Sequence, residues 1–179
     1  MNEQRFSLEP FPSARPLPSV TMVGTIARHA NTLAVRYTLQ GRLGEVVIPE
    51  PAAVPDRQDG LWKETCFEFF LAVRGSRPYW EFNLSPAGHW NSYRFTSYRE
   101  GMRVEPVFTA LPFTVETQRH ALTLALELDL GKIVPADLAL EVAISAVLRH
   151  MDGSVSYWAL THRGPRPDFH RRDSFIIAL

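Results

Sequence analysis

The sequence lacks most of the features that mark secreted, membrane-bound or nucleic-acid-binding proteins. Cys66 is the single cysteine among 179 residues, which excludes a disulfide framework and a cysteine-based zinc site. Lysine plus arginine equals aspartate plus glutamate at 19 each, and phosphate binding favours a basic excess. No apolar run approaches the roughly 20 residues of a membrane span, and residues 1–20 lack the apolar stretch of a signal peptide. We therefore expect a cytoplasmic protein without a nucleic-acid or membrane partner.

The short motifs of catalysis and cofactor binding are also missing. The sequence has no glycine-rich phosphate loop, no Gly-x-Ser-x-Gly element and no His-Glu-x-x-His pair. Its six histidines are not spaced as ligands on one element, so the pattern predicts no metal site. The residue pattern on its own assigns no catalytic residue.

What the chain does contain is a succession of short segments with β-strand character. Residues 33–39 alternate apolar and polar side chains and stop at Gln40-Gly41, and similar segments follow with turn signals about every 8–12 residues. Helix signals are confined to residues 130–138, where Pro135 interrupts them. The sequence therefore predicts an all-β fold, an antiparallel β-sandwich with one or two short helical turns at most.

The N-terminal part differs in composition from the rest. Residues 10–18 contain four prolines, which fix the backbone in an extended form and remove hydrogen-bond donors. We predict a proline-rich arm over residues 1–18 and a single sandwich domain over residues 19–179.

Residues 61–101 combine many aromatic side chains with charged ones. Strand alternation turns Glu68 and Glu81 out of the core on neighbouring strands. Residues 85–88, Ser-Pro-Ala-Gly, have the composition of a turn. As a four-residue hairpin loop they would place Asn83 opposite Trp90. The predicted sheet face then carries Glu68, Glu81, Asn83, Trp90 and Arg94.

An indole beside carboxylate, amide and guanidinium groups suits a sugar or another polyol. The ring stacks on C–H patches while the polar groups bind the hydroxyls. The same residues also fit an ordinary Glu81–Arg94 ion pair on a solvated face, covered by Trp90. The leading hypothesis is a ligand-binding module without enzymatic activity. The alternatives are a glycoside hydrolase that uses Glu68 and Glu81, and a protein-interaction domain that uses exposed strands and the arm.

Four stretches of the chain resemble a known family. They are residues 61–70 (Leu-Trp-Lys-Glu-Thr-Cys-Phe-Glu-Phe-Phe), 79–95 (beginning Tyr-Trp-Glu-Phe-Asn-Leu-Ser-Pro), 156–160 (Ser-Tyr-Trp-Ala-Leu) and 167–170 (Pro-Asp-Phe-His). They are similar to bacterial DOMON-like proteins related to family 9 carbohydrate-binding modules. The resemblance implies a jelly-roll-like sandwich with a ligand face, and it implies no reaction.

The resemblance also adds candidates for the ligand site. Ligands in the wider superfamily are sugars and haem, and family 9 modules clamp a sugar between two aromatic rings and can hold structural calcium. The cofactor therefore stays open between calcium, haem and none, as does the oligomeric state. The implied rings are Trp62, Trp90 and Trp158, and the implied polar contacts are Glu64, Glu68 and Glu81.

Overall fold

The computed structural model of the protein describes residues 3–179. Within that range the chain forms twelve strands: β1 (Gln4–Pro10), β2 (Val20–His29), β3 (Thr32–Gly41), β4 (Cys66–Val73), β5 (Tyr79–Leu84), β6 (Trp90–Phe95), β7 (Arg103–Val104), β8 (Phe113–Gln118), β9 (Ala121–Asp129), β10 (Leu140–Arg149), β11 (Val155–Ala159) and β12 (Ile177–Ala178). The molecule is therefore all-β, as the alternating segments predicted.

Helical structure in residues 3–179 amounts to four single 3₁₀ turns, where the sequence predicted one or two. They are Leu43–Glu45, Leu61–Lys63, Leu130–Lys132 and Arg172–Ser174. None of the helical turns in this part of the chain is long and apolar enough to cross a membrane.

The strands form one continuous antiparallel path that curls into two layers. Its order is β7-β6-β5-β4-β10-β11-β1-β2-β3-β9-β8, and β12 pairs with β10. Strand β1 joins the layers, because residues 4–8 pair with β2 while Glu9 and Pro10 pair with β11. The layers face each other: the Tyr37 hydroxyl of β3 donates to the Glu68 carbonyl of β4 at 2.7 Å. The architecture is a β-sandwich.

The structure places the first part of the expected arm inside the sheet. Phe6 and Leu8 of β1 are buried in the core, and the Phe6 ring meets the Tyr37 ring edge-on at 5.7 Å. The apolar–polar alternation of residues 5–8 thus outweighs the prolines, which begin only at Pro10, the last residue of the strand. After β1, residues 11–18 of the expected arm run outside the strands.

The main core lies between the layers and follows the predicted alternation. In β3, Leu33, Val35, Tyr37 and Leu39 are buried, and alternate residues of the neighbouring strand β9 are buried beside them. Strand β4 is different, because it is buried on both faces. Its outer face carries Phe70, which packs with Tyr79, Phe95 and Phe175 in a second cluster beneath the C-terminal segment.

Candidate functional site

The β5–β6 hairpin decides which side chains share the outer face of this layer. Its register is one residue away from the predicted one, since Leu84 pairs with Trp90 and Glu81 with Tyr93. The Gly88 N–H donates to Ser85 O at 2.9 Å, so the predicted turn exists. However, Ser85 N–H also donates to His89 O at 2.8 Å, so Ser85 and His89 are paired. The loop is therefore three residues long (86–88) instead of four, with Gly88 at φ 95°. A one-residue shift reverses every side chain of β6.

The prediction that Trp90 and Arg94 share a face with Glu81 is therefore wrong. Trp90 is 5% exposed and belongs to the core between the layers, with the Arg57 guanidinium 4.2 Å from its ring. Arg94 is on the same side of β6, and its guanidinium lies 5.4 Å from the Trp80 ring. Asn91, Tyr93 and Phe95 occupy the outer face instead.

Two further predicted site residues also lie apart from this face. Trp158 is buried in the main core and donates from Nε1 to Ser156 Oγ at 2.8 Å. Glu64 is exposed, and its Oε2 lies 3.3 Å from Arg149 Nε. Trp158 is thus a core residue, and Glu64 is part of a surface ion pair.

The structure brings together Trp62, Glu68 and Glu81. They line a cavity of about 330 Å³ on the outer face of β4, β5, β10 and β11, which we call the pocket. Asn83 lies buried behind it and donates from Nδ2 to Glu81 Oε1 at 2.9 Å. The pocket also contains residues that the sequence did not indicate as site residues: Phe95, Arg99, Met102, Val147, Tyr157, Pro167, Phe169 and His170.

Aromatic side chains form much of the pocket wall. Trp62 is held in the single turn Leu61–Lys63, and its ring meets Tyr93 edge-on at 5.7 Å. Tyr157 extends outward from β11, since its neighbours in the strand face the core, and its ring lies 6.2 Å from Phe169. Rings from a turn, a strand and a loop therefore converge on one cavity.

A loop that follows β6 closes the pocket on one side. Arg99 has a left-handed backbone at φ 55°, a conformation that is unusual for a residue other than glycine. In this conformation its N–H donates to the Tyr79 hydroxyl at 3.1 Å, and its guanidinium donates to Asp168 at 2.9 Å. The loop is thereby tied both to the sheet and to the C-terminal segment.

Asp168 anchors the C-terminal segment over the pocket. It accepts hydrogen bonds from Tyr98, Arg99 and the His170 backbone. Burial by itself would raise the pKa of Asp168, but these hydrogen bonds outweigh burial and hold the pKa below its usual value.

His170 is a neutral, hydrogen-bonded residue in the pocket wall. Its Nδ1 lies 2.9 Å from the Tyr79 hydroxyl, and its Nε2 lies 3.8 Å from Glu81 Oε2. Burial, together with the positive charge of Arg99, lowers the pKa of His170 to about 4. The imidazole is therefore uncharged at neutral pH, and it does not neutralise Glu81.

Glu68 and Glu81 form a buried carboxylate pair in the pocket floor. Burial raises the pKa of Glu81 to about 7, although the hydrogen bond from Asn83 and the charge of Arg99 act in the opposite direction. Burial and the nearby Glu81 raise the pKa of Glu68 well above its usual range. Two such carboxyls do not both ionise readily at neutral pH, so the pair shares protons.

The donor set of the pocket does not fit calcium. Within residues 3–179, no three His, Cys, Asp or Glu side chains converge as a metal site.

Comparison with known proteins gives a likeness of fold. No family model matches the sequence, and no curated protein matches it. The structure is similar to that of a candidate carbohydrate-binding protein from Bacteroides uniformis, with a TM-score of 0.72 and 14% identity, over 96% of this chain and 83% of that one. This likeness shows a shared β-sandwich fold.

Two further solved structures share less with the chain. They are of a family 9 carbohydrate-binding module from Caldicellulosiruptor kristjanssonii, in complex with cellotriose and with glucose. Both have a TM-score of 0.49 and match 81% of this chain, at 8% and 11% identity. The matches extend over 67% and 69% of the module chains.

Proposed function

We propose that the protein binds a small carbohydrate-like ligand in the pocket. The observation that carries the proposal is the combination of aromatic walls with a polar floor in one cavity: Trp62, Tyr157 and Phe169 surround the pocket that contains Glu81. Ring faces suit the C–H patches of a sugar, and charged side chains suit its hydroxyls. The name of the Bacteroides uniformis structure is consistent with this proposal.

The size of the pocket favours a single small molecule. Ligand pockets in proteins span about 300–1,000 Å³, and the 330 Å³ of this cavity lies near the lower end. We therefore expect a monosaccharide or one unit of a larger sugar to occupy it.

The glycoside hydrolase alternative finds one supporting observation. Glu68 and Glu81 share the pocket, and the raised pKa of Glu81 is the property of a general acid. Burial opposes the alternative, because Glu68 is 2% exposed and its raised pKa keeps the carboxyl protonated, so the carboxylate that a base or nucleophile requires is scarce. Binding without turnover is the function that the geometry supports better.

The binding proposal can be tested by calorimetry, with a panel of monosaccharides titrated into the protein and its variants. We expect Trp62→Ala to weaken binding at least about fivefold, because it removes a stacking surface. The melting temperature should change little, since Trp62 lies outside the main core. Phe11→Ala is the matched control: Phe11 is another half-buried aromatic residue, packed on His162 away from the pocket.

Two results would contradict the proposal. One is a Trp62→Ala protein that binds as tightly as the unaltered chain, and the other is a complete lack of binding across the panel. The same panel, presented as chromogenic glycosides, separates binding from hydrolysis. Turnover that disappears in Glu81→Gln would favour the hydrolase.

A further inference from the structure

The pocket floor contains a carboxylate oxygen with nothing to bind. Glu68 is 2% exposed and lines the pocket, yet its Oε1 has no hydrogen-bond partner among residues 3–179. Buried polar atoms in folded proteins are nearly always hydrogen bonded, so an unpartnered one requires a physical explanation. A ligand that donates a hydrogen bond to this oxygen would supply the missing partner.

Two residues beside Glu68 also have side-chain oxygens without a hydrogen-bond partner. Asn83 and Ser145 lie directly opposite Glu68 on the two flanking strands, β5 and β10. Asn83 uses its Nδ2 on Glu81, which leaves its Oδ1 as an acceptor without a donor in the described chain. The Ser145 hydroxyl has no other partner there, but it is a donor as well as an acceptor, and it acts to lower the pKa of Glu68 against the effect of burial. The floor therefore has one hydroxyl and the weakly donating Cys66 thiol beside the unpartnered oxygens of Glu68 and Asn83, and a ligand with several strong donors would satisfy them better.

The charges around the floor do not favour ionisation of both carboxyls. Arg99 is paired with Asp168, so these two groups largely cancel. His170 is neutral at neutral pH, and the buried Cys66 thiol keeps its proton because burial raises its pKa. Arg99 is thus the cation that acts on the Glu68–Glu81 pair, and Asp168 already compensates it, so the pair retains protons that a further cation would release.

A protonated primary amine supplies what this floor lacks. It offers three donors and no acceptor, and it carries the positive charge that lets both carboxyls ionise. A hydroxyl group offers one donor and no charge. The aromatic walls support the same choice, because the ring faces of Trp62 and Tyr157 attract cations as well as C–H groups.

We propose that the pocket is selective for a ligand with a protonated amine, which donates to the unpartnered carboxyl oxygen of Glu68 in the pocket floor. This inference rests on the proposed function, which supplies the sugar ring of the ligand. The sugar ring and the amine together specify an amino sugar. Within the sugar-like class, the amine occupies the floor and the ring stacks on the aromatic wall.

The test compares three related sugars on the unaltered protein, by calorimetry at a pH where the amine is protonated, and glucose and glucosamine are the pair of matched shape. Glucosamine carries the charge, glucose replaces the amine by a hydroxyl, and N-acetylglucosamine keeps the nitrogen but removes its charge. We expect glucosamine to bind at least about tenfold more tightly than both others, in line with the strength of charge-assisted hydrogen bonds. This selectivity is measured without any substitution and does not depend on a variant that folds.

A variant then assigns the selectivity to the floor. Glu68→Gln keeps the shape of the side chain but removes its charge, and we expect the preference for glucosamine over glucose to fall to about threefold or less. Glu116→Gln is the matched control, because Glu116 is exposed on β8 in the opposite layer. It should keep the full preference.

The outcomes separate the inference from the proposed function. Equal binding of glucose and glucosamine overturns the inference and leaves sugar binding intact. Binding of a simple amine such as ethanolamine, with no sugar bound at all, upholds the amine site and overturns the carbohydrate proposal. A lack of binding by both kinds of ligand contradicts both.

Discussion

Glu81 and His170 lie 3.8 Å apart in the pocket, and burial shifts their proton affinities in opposite directions. The pKa of Glu81 rises from 4.5 to about 7, so the folded protein holds this proton more tightly than the unfolded chain. Stability from Glu81 is therefore lost as pH rises from about 4.5 to 7. The pKa of His170 falls from 6.5 to about 4, so its contribution to stability increases as pH rises from about 4 to 6.5.

The two residues can be separated by the pH dependence of two variants, followed by urea unfolding. Relative to the unaltered protein, we expect Glu81→Gln to gain about 2–3 kcal/mol in free energy of unfolding as pH rises from about 4.5 to 7. His170→Asn should lose stability relative to the unaltered protein over about pH 4 to 6.5. Glu116→Gln, at an exposed position, should follow the unaltered protein throughout. Parallel profiles for all four proteins would contradict the account of this pair.

At the same scale, the sequence indicated only part of the site. Glu68 and Glu81 could be placed on one face, because each alternates with apolar residues on its strand. Trp90 and Arg94 could not be placed correctly, because a hairpin loop that is one residue shorter turns every side chain of β6 to the opposite face. Arg99 and His170 were beyond sequence reasoning, since loops carry them to the pocket and loop paths follow from tertiary contacts.

Among the elements, β2 shows how tightly the strands of one layer pack. Gly24 of β2 lies between Phe6 of β1 and Tyr37 of β3. A Cβ atom added to Gly24 would lie 2.0 Å from the Arg36 carbonyl oxygen and 2.3 Å from the Phe6 ring. The first of these atoms is backbone and cannot move without disturbing the strand pairing. Glycine is therefore required here by packing.

A pair of glycine substitutions tests this packing. We expect Gly24→Ala to reduce the free energy of unfolding by about 2 kcal/mol, as overpacking typically does. Gly44→Ala is the matched control, because a Cβ at that position meets no atom within 4 Å. Its effect should stay within about 0.5 kcal/mol. Thermal or urea unfolding compares them, and equal stability of the two variants would show that β1 and β2 do not pack as described.

The elements also show where alternation is informative and where it fails. The regular pattern of β3 and β9 identified both strands and the residues of the core. Strand β4, buried on both faces, gave no such contrast, so its outer cluster with Phe70 and Phe175 was not expected. In β1 the alternation of Phe6 and Leu8 was present, but the prolines after it favoured the interpretation as an arm.

For the whole molecule, the pocket lies on the outer face of one layer and not between the two layers. The interior between the layers is filled by side chains, including Trp90 and Trp158. The outer face is open to a ligand because only loops and the C-terminal segment cover it. Fold class could be predicted from many short strands with regular turn signals, but the location of the open cavity depends on how those loops pack across the sheet.

The four tryptophans provide the most direct test of this arrangement. Each gives one indole N–H signal in a nitrogen–proton NMR spectrum, and Trp62 alone lines the pocket, while Trp80, Trp90 and Trp158 lie in the main core. On titration with glucosamine and glucose, we expect the Trp62 indole signal to shift and the other three to remain in place. A shift of the Trp90 or Trp158 signal in place of Trp62, or no shift at any of the four, would contradict it.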